Sequence, residues 1–135
     1  MSDHVADAIG GNPVWAIGFG GPAATLSFSP GDPYEDHGWL RKVLWLLRRS
    51  AADPVTVTGY QVDDGTPLWF DYEQPGPQET VLLLDPDASH GRHGDWYEYR
   101  GYFVLPSAGC FGLTAAWPGG GWELRFRAGL DQTVR

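Results

Sequence analysis

At 135 residues the chain is the size of one domain, and 42% hydrophobic and 14% aromatic residues exclude a disordered polypeptide. Enough apolar surface is present for burial to offset the entropy of ordering, while nineteen Gly and eleven Pro argue for many tight turns and against a helical bundle. Seventeen Asp and Glu against nine Lys and Arg give a net charge of −8, a field that repels a phosphate backbone and excludes general nucleic-acid binding.

The N-terminus (MSDHVADAIGG) has no basic segment followed by an apolar stretch, so it does not read as a signal peptide. Residues 1–12 are expected to form a flexible tail. No run approaches the ~18 apolar residues of a membrane span. As written, the chain predicts a cytoplasmic protein; the same domain excised from a longer exported chain would be extracytoplasmic. Residues 14–19 place Trp15, Ile17 and Phe19 on one face. After Gly20-Gly21-Pro22, residues 24–29 alternate, with Ala24, Leu26 and Phe28 against Thr25, Ser27 and Ser29. These two runs read as a hairpin.

Residues 39–49 (WLRKVLWLLRR) admit two readings. Trp39, Leu40, Val43, Leu44 and Leu47 fit a helical stripe, with Asp32-Pro33 as an upstream start and Arg48 and Arg49 at the negative end of the dipole. Against the helix, Gly38 would sit inside it, and Trp39, Val43, Trp45 and Leu47 share one face of a strand. Residues 54–62 (PVTVTGYQV) are β-branched, and Gly59 suggests a bulge. Asp63-Asp64-Gly65 supplies a tight turn before a strand at 68–72. After Pro75-Gly76-Pro77, residues 79–84 (ETVLLL) read as a strand buried on both sides, and residues 85–95 as a polar loop.

The C-terminal runs alternate most clearly. In 96–105, Tyr97, Tyr99, Phe103 and Leu105 oppose Trp96, Glu98, Arg100 and Tyr102. Phe111, Leu113, Ala115 and Trp117 point inward, Gly119-Gly120-Gly121 turns the chain, and Trp122, Leu124, Phe126 and Ala128 return inward. Seven to nine closely spaced strands without crossover helices predict an all-β fold, an antiparallel β-sandwich over residues 13–129 with a tail at 130–135.

Phe103-Val-Leu-Pro106, then Ala108-Gly109-Cys110-Phe111, and then Trp117-Pro-Gly-Gly-Gly-Trp122-Glu-Leu-Arg-Phe126 form a pattern of their own. It resembles the end of small immunoglobulin-like β-sandwich domains in uncharacterised, often exported or lipid-anchored bacterial proteins. Lys42-Val-Leu-Trp45, Pro54-Val-Thr-Val-Thr-Gly59 and Leu68-Trp-Phe70 look like the middle strands of that group. The resemblance implies an immunoglobulin-like antiparallel β-sandwich, and with it a long strand at 39–49. It carries over no catalytic residues. Pro106 breaks a ladder, and Ala108-Gly109 permits a close corner into the next strand.

Two clusters are candidate sites. The loop at 85–95 (DPDASHGRHGD) gathers Asp85, Asp87, His90, His93 and Asp95. His90 and His93 with a carboxylate suit Zn²⁺, and the three Asp suit Ca²⁺ through oxygen ligands, although turn chemistry alone also favours Asp, His and Gly there. The second cluster is aromatic. Trp96 and Tyr102 share the outward side of one strand with Glu98 and Arg100, and Trp69 accompanies Asp71 and Glu73 on another. Aromatic faces beside polar groups suit a sugar. The basic group Arg41, Lys42, Arg48 and Arg49 reads as a solvated face, and the lone Cys110 as a small buried hydrophobe. His4 and His37 are isolated, and no Gly-x-Ser-x-Gly, phosphate loop or dinucleotide fingerprint occurs. The expectation is a non-enzymatic interaction module with a protein or glycan partner. Its alternatives are a carbohydrate-binding module using Trp69, Trp96 and Tyr102, and a metal-binding domain using the 85–95 loop.

Overall fold

Short β-branched and aromatic runs separated by Gly, Pro and Asp give strands and turns with almost no helix. A computed structural model describes residues 8–18, 25–28, 34–35, 38–51, 53–71 and 78–130. In chain order the strands are β1 (Ala8–Gly11), β2 (Val14–Ile17), β3 (Thr25–Phe28), β4 (Tyr34–Glu35), β5 (Gly38–Arg48) and β6 (Val55–Gln61). There follow β7 (Trp69–Asp71), β8 (Leu82–Leu84), β9 (Gly91–His93), β10 (Trp96–Leu105), β11 (Gly109–Trp117) and β12 (Gly120–Leu130). Single 3-10 turns occupy Arg49–Ala51 and Pro86–Ala88. One sheet has the order β1-β2-β5-β10-β7, with β4 added to β5 and β9 to β10; the other runs β3-β12-β11-β6-β8.

The expected all-β sandwich is what the chain forms. Twelve strands are present among the described residues where seven to nine were expected. The surplus is in segments such as β1, β4 and β9, two to four residues long, which are too short to show a period. β1 pairs with β2, so the sheet begins inside the expected N-terminal tail. Phe19, Glu73, His4, His37, and the turns expected at 20–22 and 75–77 lie outside the described residues.

The ambiguous run at 39–49 is a strand. β5 pairs with β10 through ten consecutive antiparallel positions, from Trp39↔Leu105 to Arg48↔Trp96. Val43, Trp45 and Leu47 enter the core from it. Gly38 starts the strand where no side chain fits: a Cβ there would collide with the Leu105 carbonyl oxygen.

Three local expectations are corrected. β2 and β3 do not form a hairpin; β2 pairs with β5 in one sheet, and β3 runs parallel to β12 in the other. Trp15 and Ile17 share one face as expected, and Val14 and Ala16 on the other face the core, because the register with β5 sets the phase of a four-residue strand. Gly59 makes no bulge towards β11, since β6 keeps an unbroken register from Thr56↔Ala116 to Gln61↔Phe111. Its role is to admit the Leu68 side chain, whose Cδ2 would be 2.9 Å from an added Cβ. The run at 79–84 is not buried on both sides. Leu82 and Leu84 face the core, while Val81 and Leu83 are each 47% exposed.

The core joins the sheets through aromatic rings. Phe103 on β10 lies 5.8 Å from Trp45 and 5.4 Å, edge-on, from Phe70 in its own sheet. Across the interface it meets Phe126 at 5.5 Å, which stacks on Phe111 at 5.4 Å. The Pro106–Ala108 segment carries the chain from one sheet to the other, and Gly109 there sits at φ +150° against the Gln61 amide. Trp122 ties the opposite side: its indole N–H donates to the Gly11 carbonyl at 3.2 Å, linking β12 to β1.

Candidate functional site

The aromatic candidates are in the phase expected for β10: Tyr97, Tyr99, Phe103 and Leu105 belong to the core side and Trp96 and Tyr102 to the outer side. Tyr102 is opposite Asp71, and Val104 opposite Trp69, so Trp69 and Tyr102 are diagonal neighbours. Both are half-buried, and Asp71 beside them is buried. Trp96 is elsewhere. Six residues along the strand from Tyr102, it is about 20 Å away at the usual rise. Only 5% of Trp96 is exposed, and the Arg48 guanidinium lies 4.6 Å over its ring. A sugar face needs an open ring, so any stacking platform here narrows to Trp69 and Tyr102.

The 85–95 segment is more structured than a loop. Asp85 caps the 3-10 turn, its Oδ1 accepting from the Asp87 N–H at 2.9 Å, with Pro86 at the first position. β9 then pairs with β10 at residues 96–98. On this same side, β7 pairs with β10 at residues 102–104, leaving a step between the two. His90 fills it. Its main-chain N–H donates to the Glu98 carbonyl at 2.8 Å, and its Nδ1 accepts from the Arg100 N–H at 2.7 Å. The imidazole thus serves as a ladder partner, which a ligand on Nδ1 would displace. Asp95 is exposed, and its carbonyl accepts from the Arg49 N–H at 2.7 Å. The side chain of His93 is outside the described residues. Among the described residues, no three His, Cys, Asp or Glu side chains gather as a metal site.

A third feature had no counterpart in the sequence reading. Among the described residues β8 is an edge of the five-stranded sheet, paired with β6 on one side only. Just before it, Glu79 exchanges two main-chain hydrogen bonds with Phe70, at 2.7 and 2.9 Å. The segment therefore crosses from one sheet to the other, and Val81 and Leu83 emerge on the outside. The facing residues Thr56 and Ala116, in line with Leu83, are exposed and uncharged. Acidic groups bracket the strand: exposed Glu79 before it, Asp85 and exposed Asp87 after it. The one available signal was length, because only the seven residues 78–84 lie between the Pro-rich turn and Asp85.

No helix among the described residues is long and apolar enough to cross a membrane. Comparison with known proteins finds no matching family model, curated protein or solved structure.

Proposed function

We propose that the protein is a non-enzymatic interaction module that binds an extended segment of a partner polypeptide by strand addition along β8. The observation that carries this reading is a strand at an edge among the described residues, with apolar Leu83 exposed on it and apolar Val81 exposed just before it. Edge strands are ordinarily blunted by short length, charge, Pro or a bulge; β8 is short, at three residues, but residues 79–84 contain neither Lys nor Pro. An added strand gains main-chain hydrogen bonds from the edge and places alternate side chains beside Val81 and Leu83.

Charge selects the occupant. Glu79, Asp85 and Asp87 flank the apolar pair, and the whole chain carries −8. An antiparallel copy of β8 centred on Leu82 would set Glu79 opposite Asp85, and like charges directly opposed are destabilising. A segment with apolar residues at alternate positions and basic residues at its ends meets both features. The resemblance of the C-terminal third to bacterial immunoglobulin-like domains bears on the fold, and the setting proposed with it is a cell envelope or the recognition part of a larger protein.

Fluorescence polarisation with alternating Val peptides flanked by Lys, by Ser or by Glu tests the reading. The Lys-flanked peptide is expected to bind most tightly, to weaken with salt, and to lose affinity in Leu83→Lys. Equal affinity for all three peptides, or full binding by Leu83→Lys, would refute it.

A further inference from the structure

A cleft of ≈ 330 Å³ lies at one end of the sandwich, where Val55, the β6 partner of Leu84, forms part of its lining. Asn12 and Pro13 from the β1–β2 turn, Arg48 at the end of β5, Asp53 before β6 and Trp117 at the β11–β12 turn line it. Its size is at the lower end of small-molecule pockets, which run ~300–1,000 Å³.

Arg48 is held on three sides. Its main-chain N–H donates to the Pro13 carbonyl at 2.8 Å, its Nε to the Asn12 Oδ1 at 2.8 Å, and its guanidinium rests on the buried Trp96 ring. None of these partners is a carboxylate. A guanidinium has five N–H donors, of which the Asn12 bond uses the one on Nε. The terminal nitrogens form a flat fork that matches a carboxylate, and fixing the fork beforehand lowers the entropic cost of binding. The same cleft offers the opposite charge on Asp53, which is exposed, and an apolar wall from Trp117 and Pro118.

We infer that this cleft binds a small zwitterion of the amino-acid class with an apolar side chain. Its carboxylate pairs with Arg48, its ammonium with Asp53, and its side chain packs on Trp117. A plain carboxylate would gain the Arg48 contact but face repulsion from Asp53, and a plain amine the reverse. The cleft meets β8 only through Val55, on the paired side of that strand, and uses none of Val81, Leu83 and the acidic groups flanking them, so neither proposal depends on the other.

Titration of the ¹⁵N-labelled protein distinguishes the cases, reading the Arg48 Nε and Trp117 indole signals. The probes are L-phenylalanine, 3-phenylpropionate, which lacks the ammonium, and phenethylamine, which lacks the carboxylate. Saturable shifts at both signals are expected for L-phenylalanine, with each analogue weaker by about tenfold or more. Asp53→Asn, on an exposed side chain, should weaken L-phenylalanine by a similar factor and leave 3-phenylpropionate unweakened. Arg48→Lys keeps a cation but removes the fork, and should weaken both carboxylates. No saturable shift with L-phenylalanine, equal affinity for all three probes, or wild-type affinity in both variants would overturn the inference.

Discussion

Replacing Phe103 by Ala is expected to be the most costly single truncation in the protein. The ring is fully buried and touches Trp45 and Phe70 in its own sheet and Phe126 in the other. Truncating a buried Phe costs ~3–5 kcal/mol, the transfer term and the cavity term together. A domain of this size has only ~5–15 kcal/mol in all. With a urea slope of ~1–3 kcal/mol/M, the midpoint should fall by about 2 M in a single transition. Phe103→Leu keeps much of the volume and should cost less, about 1–2 kcal/mol. Val81→Ala, on the exposed edge, should cost less than about 1 kcal/mol. Equilibrium urea unfolding followed by tryptophan fluorescence measures all three. If Phe103→Ala costs no more than Val81→Ala, the aromatic bridge is not what holds the sheets together.

Three further outcomes are expected. His90→Ala removes the acceptor of the Arg100 N–H and should destabilise the fold by ~1–3 kcal/mol; His90→Asn, whose Oδ1 can take the place of Nδ1, should recover most of it in the same assay. Recovery failing in His90→Asn while zinc stabilises the wild type would favour the metal reading instead. Gly38→Ala forces an added Cβ against the Leu105 carbonyl, a backbone atom that can yield only by moving β10, and should cost ~1–3 kcal/mol as overpacking. Finally, the Thr66 N–H donating to Asp64 holds the carboxyl below its ordinary value of 3.8. Since the folded form binds that proton less tightly than the unfolded form, the contribution is complete above 3.8 and is lost as pH falls below it. An NMR titration of the Asp64 carboxyl should therefore give a midpoint below 3.8, and Asp64→Asn should remove this increment of acid sensitivity from the turn.

Long alternating runs were legible because burial of every second side chain is a local property. The inward sets of β10, β11 and β12 are those read from the sequence, as is the tight turn at 63–65. Of the glycines expected to turn the chain at 119–121, only Gly119 does so, and Gly120 and Gly121 already pair in β12. Where a run was short or apolar throughout, the phase came from its neighbour. Val14 and Ala16 face inward because β5 sets the register of β2, and residues 39–49 became a strand because β10 offered ten positions to pair with. The candidate sites divide the same way. Trp69 and Tyr102 were placed correctly in phase, but the sequence had no means of showing that Arg48 covers Trp96 or that His90 completes a ladder. Both contacts join residues far apart in the chain or on different strands, where spacing carries no information.

The sequence by itself therefore determined the secondary structure class and the identity of most of the core, since period-two burial needs no knowledge of what lies opposite. The tertiary structure alone decided which strand became an edge and which side chains converge at the cleft. An edge strand and a central strand have the same residues to offer; only the absence or presence of a pairing neighbour distinguishes them. That difference leaves Leu83 on β8, and Val81 just before it, as the exposed large hydrophobic side chains among the described residues.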